Sequence, residues 1–183
     1  MKIQVDDKEF ELMIEYEQIK KRIRLIGIQL NVDYEGRVPV FIGVLNGSFL
    51  FLADLMKEIE IASEVTFIKV SSYEGDSSTG RVKKVIGLEL DLRKRDVIIV
   101  EDIVDTGITM DHLLTELKQL EPASIAVCSL LVKPQSMQHE IEELDYVAFE
   151  IPNDFVVGYG LDYNGLGRNL KDIYRAVAVP SET

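Results

Sequence analysis

Val97-Ile98-Ile99-Val100-Glu101-Asp102-Ile103-Val104-Asp105-Thr106-Gly107-Ile108-Thr109 changes character twice. Its first four residues are all β-branched, which predicts a strand from Val97 to Val100 buried on both faces, as in the interior of a parallel sheet. The rest reads as a loop with three carboxylates, two threonine hydroxyls and one glycine. A helix follows over Met110 to Leu120, with Leu113, Leu114 and Leu117 on one face and Pro122 just beyond its end. Ligands of open α/β sheets bind beyond the carboxyl ends of the strands, so this loop is the first place to look for chemistry.

The same alternation extends in both directions. Val38 to Leu45 is a second continuous apolar run, Asn46-Gly47-Ser48 supplies a turn and a helix start, Phe49 to Glu60 reads as a crossover helix, and Val65 to Val70 as the next strand. Upstream, Ile19, Ile23, Ile26 and Leu30 fall three and four residues apart between basic residues, predicting an amphipathic helix over Tyr16 to Asn31. Downstream, Ser124 to Val132 reads as a strand, and Tyr146 to Phe149 and Val156 to Tyr159 as shorter ones; Val82 to Leu90 suits a strand and turn. The polar, glycine-containing stretch from Ser71 to Arg81 reads as a long loop with the composition of a lid. Strands and helices at this spacing specify an α/β fold, a central parallel sheet flanked by helices with right-handed crossovers.

Composition narrows the function. At 183 residues and 46% hydrophobic the chain suits one domain with a sizeable core. Twenty Lys and Arg against 32 Asp and Glu give a net charge of -12, which argues against sequence-independent nucleic-acid binding and against anionic membranes, since both need basic surface. An anionic ligand must therefore be held locally. The single cysteine, Cys128, has no internal disulfide partner and lies in an apolar strand as a small core residue; Met1 to Asp7 lacks the apolar core of a secretory signal, and no apolar run approaches the roughly 20 residues that cross a bilayer. A cytoplasmic location is the expectation. His112 and His139 read as solvated residues.

The loop after Val100 has two chemical halves. Thr106 to Thr109 lies where backbone N–H groups converge at a helix N-terminus, with Gly107 allowing close approach, so it can cradle a phosphate without a cationic side chain. Glu101 and Asp102 suit sugar hydroxyls or a hard divalent cation such as Mg²⁺. Taken alone, that acidic pair would be an ordinary solvated turn or a capping device; Asp105 and the Thr106 to Thr109 segment make the difference.

This stretch resembles the phosphoribosyl-pyrophosphate motif of the phosphoribosyltransferases. More narrowly, the chain is similar to the hypoxanthine-guanine phosphoribosyltransferase family from about Val38 to Arg168, through Leu45-Asn46-Gly47-Ser48, Ser71-Ser72-Tyr73, Leu131-Val132-Lys133, and Phe155-Val156-Val157-Gly158-Tyr159-Gly160-Leu161-Asp162-Tyr163 followed by Arg168. The resemblance implies the type I phosphoribosyltransferase fold, one domain over residues 1–183 whose small hood over the purine comes from the segments around Tyr146 to Tyr159 and the N-terminal segment. It implies transfer of 5-phosphoribosyl from its 1-pyrophosphate to N9 of a 6-oxopurine, releasing pyrophosphate and forming a purine nucleotide, with Mg²⁺ as cofactor and a homodimer or homotetramer as the assembly.

By motif position, the resemblance gives Asp105 as acid or base at purine N7 and Glu101 and Asp102 at the ribose hydroxyls and metal. Thr106, Gly107, Ile108 and Thr109 would hold the 5′-phosphate, Lys133 the 6-oxo group, Phe155 the purine face and Val156 the purine edge through its backbone. Asp162 would act at a second metal through water, and Arg168 at the pyrophosphate. Asn46 and Gly47 would bind pyrophosphate through main-chain amides, commonly after a cis peptide, although many relatives carry Lys or Arg where this chain has Asn46. Ser72 and Tyr73 would close over the pyrophosphate. Taken singly, Lys133 and Phe155 would be a surface lysine and a core aromatic, Asp162 and Arg168 a surface ion pair, and Ser72 and Tyr73 ordinary loop residues. The rival readings are a xanthine-preferring or pyrimidine-specific transferase, and a nucleotide-sensing regulator on the same fold. The regulator would need a basic face or a DNA-reading module, and no such module precedes the helix at Tyr16.

Overall fold

The structure is a computed structural model and describes residues 1–71 and 83–177. Its larger sheet contains β3 (Val40–Leu45), β4 (Glu64–Ser71), β5 (Lys83–Ile86), β6 (Asp96–Val104), β7 (Ser124–Val132) and β8 (Leu144–Glu150), in the order β5-β4-β3-β6-β7-β8. Five strands run parallel, and β5 is antiparallel to β4 at the edge. Three helices cover it: α1 (Tyr16–Asp33), α2 (Phe49–Met56) and α3 (Ile108–Lys118).

Alternation along the buried strands explains the two faces. Phe41, Ile98, Val100, Cys128 and Leu130 point to the side where Ile19, Ile23, Ile26 and Leu30 of α1 and Phe51, Leu52 and Leu55 of α2 pack. Val40, Ile42, Val44, Val97, Ile99 and Val127 point to the other side, onto Met110, Leu113, Leu114 and Leu117 of α3. Glu15 and Gln18 close a reciprocal capping box at the start of α1.

A second, four-stranded sheet is built from β1 (Lys2–Val5), β2 (Lys8–Ile14), β9 (Val156–Val157) and β10 (Ile173–Ala176), in the antiparallel order β1-β2-β10-β9. Val5, Phe10, Val157 and Tyr174 form its own small core.

Several boundaries differ from the sequence reading. The expected strand at Tyr146 to Phe149 is β8 of the large sheet, parallel to β7, and is not part of the four-stranded sheet, which stands in the place of the expected hood and takes its name. It is rich in β-branched and aromatic residues, which does not reveal which sheet recruits it. The strand expected to reach Tyr159 stops at Val157, because Gly158, Tyr159 and Gly160 all turn to positive φ. Helix α2 ends at Met56 instead of Glu60, and α3 begins two residues before Met110. The largest difference is β6, which continues through Glu101 and Asp102 to Val104, so the acidic pair stands on the strand and not in the loop after it.

Candidate active site

Chain direction creates the site. From β3 the chain crosses through α2 to β4 on one side, and from β6 through α3 to β7 on the other, so β3 and β6 flank the switch point where α/β sheets bind ligands. Here the strands separate. Pairing of β3 with β6 ends at Gly43 and Val100, whereas β6 stays paired with β7 as far as Val104 and Val132. The end of β6 from Glu101 onward, with the loop into α3, thus lines a crevice.

Glu101 is buried, and its Oε1 accepts the Asp102 amide at 3.0 Å. Burial, and next the Asp102 carboxylate beside it, push the Glu101 carboxyl well above the usual carboxylate range. Asp102 lies across the crevice from the β3–α2 loop: a Cβ placed on Gly47 would fall 1.6 Å from Asp102 Oδ2. Any larger residue there would have to displace the Asp102 side chain, so the loop that begins with the cis peptide Leu45–Asn46 lies directly against the acidic pair.

A cavity of about 100 Å³ is lined by Glu101, Ile103, Val104, Asp105, Thr106, Gly107, Thr109 and Met110. Gly107 is the N-cap of α3 at φ 81° and has no side chain to bond the first-turn amides, so the start of α3 borders the cavity with the positive end of its peptide dipoles, suited to an anion. Two facts restrict this position to glycine, its left-handed φ and the His139 carbonyl oxygen, 3.1 Å from where a Cβ would sit. Thr106 Oγ1 accepts the Ile108 amide at 3.4 Å, and the Ile108 side chain is exposed. Val104 and Thr106 carbonyls accept the amides of Lys133 and Gln138, which ties the loop after β7 to the cradle.

Lys133 is buried at the end of β7, and its Nζ donates to Asp105 Oδ2 at 2.8 Å. A donor and an acceptor of opposite charge thus stand side by side, the acceptor on the cavity wall. Phe155 is 46% exposed, with its ring edge-on to Tyr163 at 5.6 Å and near Phe10 at 6.2 Å, so it presents an aromatic surface on the hood. Val156 beside it is buried and holds its place by pairing with Arg175.

Arg168 Nη2 pairs with Asp162 Oδ1 at 2.8 Å, and Arg168 Nη1 donates to the Gly160 carbonyl at 2.7 Å. Asp162 Oδ2 accepts the Gly165 amide. A Cβ on Gly160 would lie 2.1 Å from the Gly47 carbonyl oxygen, so this segment rests on the same β3–α2 loop as Asp102. Asn46, Gly47, Asp102, Asp162 and Arg168 therefore make one neighbourhood, and Asp105, Thr106, Gly107, Ile108, Thr109 and Lys133 another, joined by Glu101 and Asp102. Ser72, Tyr73 and most of the Ser71 to Arg81 loop lie outside the described residues. Sequence reasoning overlooked the Gly158-Tyr159-Gly160 turn as a spacer between the hood and the β3–α2 loop; two glycines around a tyrosine were the visible signal.

A sheet with this switch point and a phosphate-type cradle defines a class, and residues 14–164 match the phosphoribosyl transferase domain family. Over 161 residues the chain is 42% identical to the hypoxanthine-guanine phosphoribosyltransferase of Streptococcus pneumoniae, covering 87% of this chain and 89% of that protein. It is equally similar to the bifunctional protein TilS/HprT of Listeria monocytogenes, but spans only 25% of that longer protein. A crystal structure of a hypoxanthine phosphoribosyltransferase from Staphylococcus aureus superposes with a TM-score of 0.83 at 38% identity, covering 91% of each chain. The chain belongs to the hypoxanthine-guanine phosphoribosyltransferase family.

Proposed function

We infer that this protein salvages 6-oxopurines, moving 5-phosphoribosyl from 5-phosphoribosyl 1-pyrophosphate to N9 of hypoxanthine or guanine. The observation that carries the reading is the Asp105–Lys133 pair, 2.8 Å apart next to the Gly107-capped start of α3. A 6-oxopurine offers its O6 acceptor and N7 to such a pair: Lys133 donates to O6, and Asp105 takes or returns the proton at N7. Adenine, with an amino donor at position 6, would meet the lysine donor to donor. To receive a purine the ion pair opens, and Phe155 covers the base face while Val156 meets its edge through the backbone.

The 5′-phosphate sits on the amides of Thr106 to Thr109, where a helix N-terminus neutralises it without lysines, in keeping with a net charge of -12. Glu101 and Asp102 bind the ribose hydroxyls. Asn46, Gly47 and Arg168 hold the departing pyrophosphate, whose negative charge grows as the anomeric carbon becomes cationic. Among the described residues no group of three or more His, Cys, Asp or Glu forms a metal cage. Mg²⁺ does not need one, since it binds through one or two carboxylates, waters and substrate phosphates. The uncompensated Glu101–Asp102 pair supplies such oxygens, and Mg²⁺ there would neutralise the leaving group. Asp162 has both oxygens engaged, so it would act at a second ion only through water. Ser72 and Tyr73 are assigned to closure over the pyrophosphate, where excluding water protects the ribosyl cation. An enzyme of the cytoplasm, assembled as a dimer or tetramer, is the setting this reading expects.

The test is nucleotide formation with Mg²⁺ and each of hypoxanthine, guanine, xanthine, adenine and uracil in turn. Turnover with hypoxanthine or guanine, and loss of it with a chelator, is expected. Xanthine alone would keep the mechanism and change the substrate, and no turnover with any base would favour the regulatory reading.

A further inference from the structure

Helix α2 begins where the Asn46-Gly47-Ser48 loop ends, and on its second turn it carries Asp54, a partly buried carboxylate remote from the crevice. Asp54 Oδ2 accepts the Tyr159 hydroxyl at 2.6 Å and the Tyr16 hydroxyl at 3.3 Å, while its Oδ1 accepts Lys57 Nζ at 2.8 Å. Tyr159 is 2% exposed and stands at φ 49° between Gly158 at 104° and Gly160 at 101°. A non-glycine residue at positive φ, flanked by two glycines that share it, is a conformation chosen for where it sends its side chain.

The backbone around Tyr159 serves the pyrophosphate side of the site. Gly160 rests on the Gly47 carbonyl, its amide donates to the Arg168 carbonyl at 3.0 Å, and its carbonyl receives the Arg168 guanidinium. The Tyr159 amide donates to Leu170 at 2.7 Å. The turn is thus a spacer with the Gly47 loop on one side and Arg168 on the other, and the Tyr159 side chain pins that spacer to the helix which continues from the loop.

We propose that Tyr159 and Asp54 are a positioning pair that fixes Arg168 relative to the Gly47 loop, and so sets the affinity for pyrophosphate and for the pyrophosphate end of the donor. This rests on the assignment of Gly47 and Arg168 to pyrophosphate. Neither residue touches the purine, the 5′-phosphate cradle or the Asp105–Lys133 pair, so the effect is confined to one half of the site.

Tyr159→Phe keeps the ring and removes the hydroxyl; Asp54→Asn keeps the shape and an acceptor oxygen. Binding of Mg²⁺-pyrophosphate and of inosine monophosphate is measured separately by calorimetry, which needs no turnover. The expected result is that Tyr159→Phe weakens pyrophosphate about tenfold, the size of one hydrogen bond lost, and Asp54→Asn weakens it severalfold by taking the charge from that bond, with the nucleotide unchanged and the double variant no worse than Tyr159→Phe alone. In turnover, the KM for the donor rises while that for the purine stays. Equal weakening of pyrophosphate and nucleotide would mean general loosening and would overturn the proposal, as would unchanged pyrophosphate binding in both variants. If one variant fails to fold, the other decides. Wild-type protein that binds pyrophosphate yet turns over no base would sink the salvage reading while leaving the positioning pair testable by the same titration.

Discussion

Replacing Asp105 by Asn removes the proton acceptor but keeps its shape, and kcat with hypoxanthine is expected to fall about a hundredfold or more, while the melting temperature drops because buried Lys133 keeps an acceptor but loses its counter-charge. Steady-state kinetics checks this, and turnover near wild type would show that N7 needs no base from the protein. Gly107 makes a different argument at the same scale. Gly107→Ala forces a Cβ into a left-handed conformation, a cost of about 1–2 kcal/mol, and towards the His139 carbonyl 3.1 Å away. The helix start must shift, so nucleotide monophosphate should bind more weakly and the protein melt earlier. Ile108→Ala, one residue on, should do neither, since that side chain is exposed and does not line the cavity. Paired calorimetry and thermal melts on the two variants separate the backbone role from the side-chain role.

At the scale of elements, Asp54 of α2 gathers hydroxyls from α1 and from the turn after β9. Burial alone would raise Asp54, but hydrogen bonds from Lys57, Tyr159 and Tyr16 outweigh it and leave its carboxyl below the ordinary 3.8. A depressed acid stabilises the fold fully above its unfolded value and loses that contribution as the pH falls through the folded one. Asp54→Asn should therefore lower stability at neutral pH and flatten the loss of stability below pH 3.8, read from denaturant melts across pH. Strand β7 gives another test: Cys128 is wholly buried and burial pushes its thiol far up, so alkylation should proceed only as fast as the protein opens. The large sheet was legible in the sequence because its strands, buried on both faces, are apolar runs that few other structures tolerate. The hood was harder to read. In β2 only Phe10, Leu12 and Ile14 alternate, β10 is four residues long, and their partners lie more than 150 residues apart, which no local pattern encodes. Motif spacing singled out Asp105, Thr106, Gly107 and Thr109, which line one small cavity, yet Glu101 and Asp102 were assigned to a loop because carboxylates rarely continue a buried strand. They do so here because β3 leaves their side of β6 unpaired.

For the whole molecule, the net charge of -12 means that DNA and RNA should not shift on a gel even at low salt, and a clear shift would revive the regulatory reading. The two sheets also differ in how soon each can be completed. Every strand of the large sheet lies within residues 40–150, whereas β2 acquires its inner neighbour only with Ile173–Ala176. A nascent polypeptide emerging from the ribosome would accordingly form the cavity proposed for phosphate well before the aromatic surface proposed for the base, leaving β2 with an open edge in the interval. Such a chain would be able to hold a nucleotide's phosphate while still blind to its purine, and the N-terminal hairpin would be the part most in need of shelter from other chains.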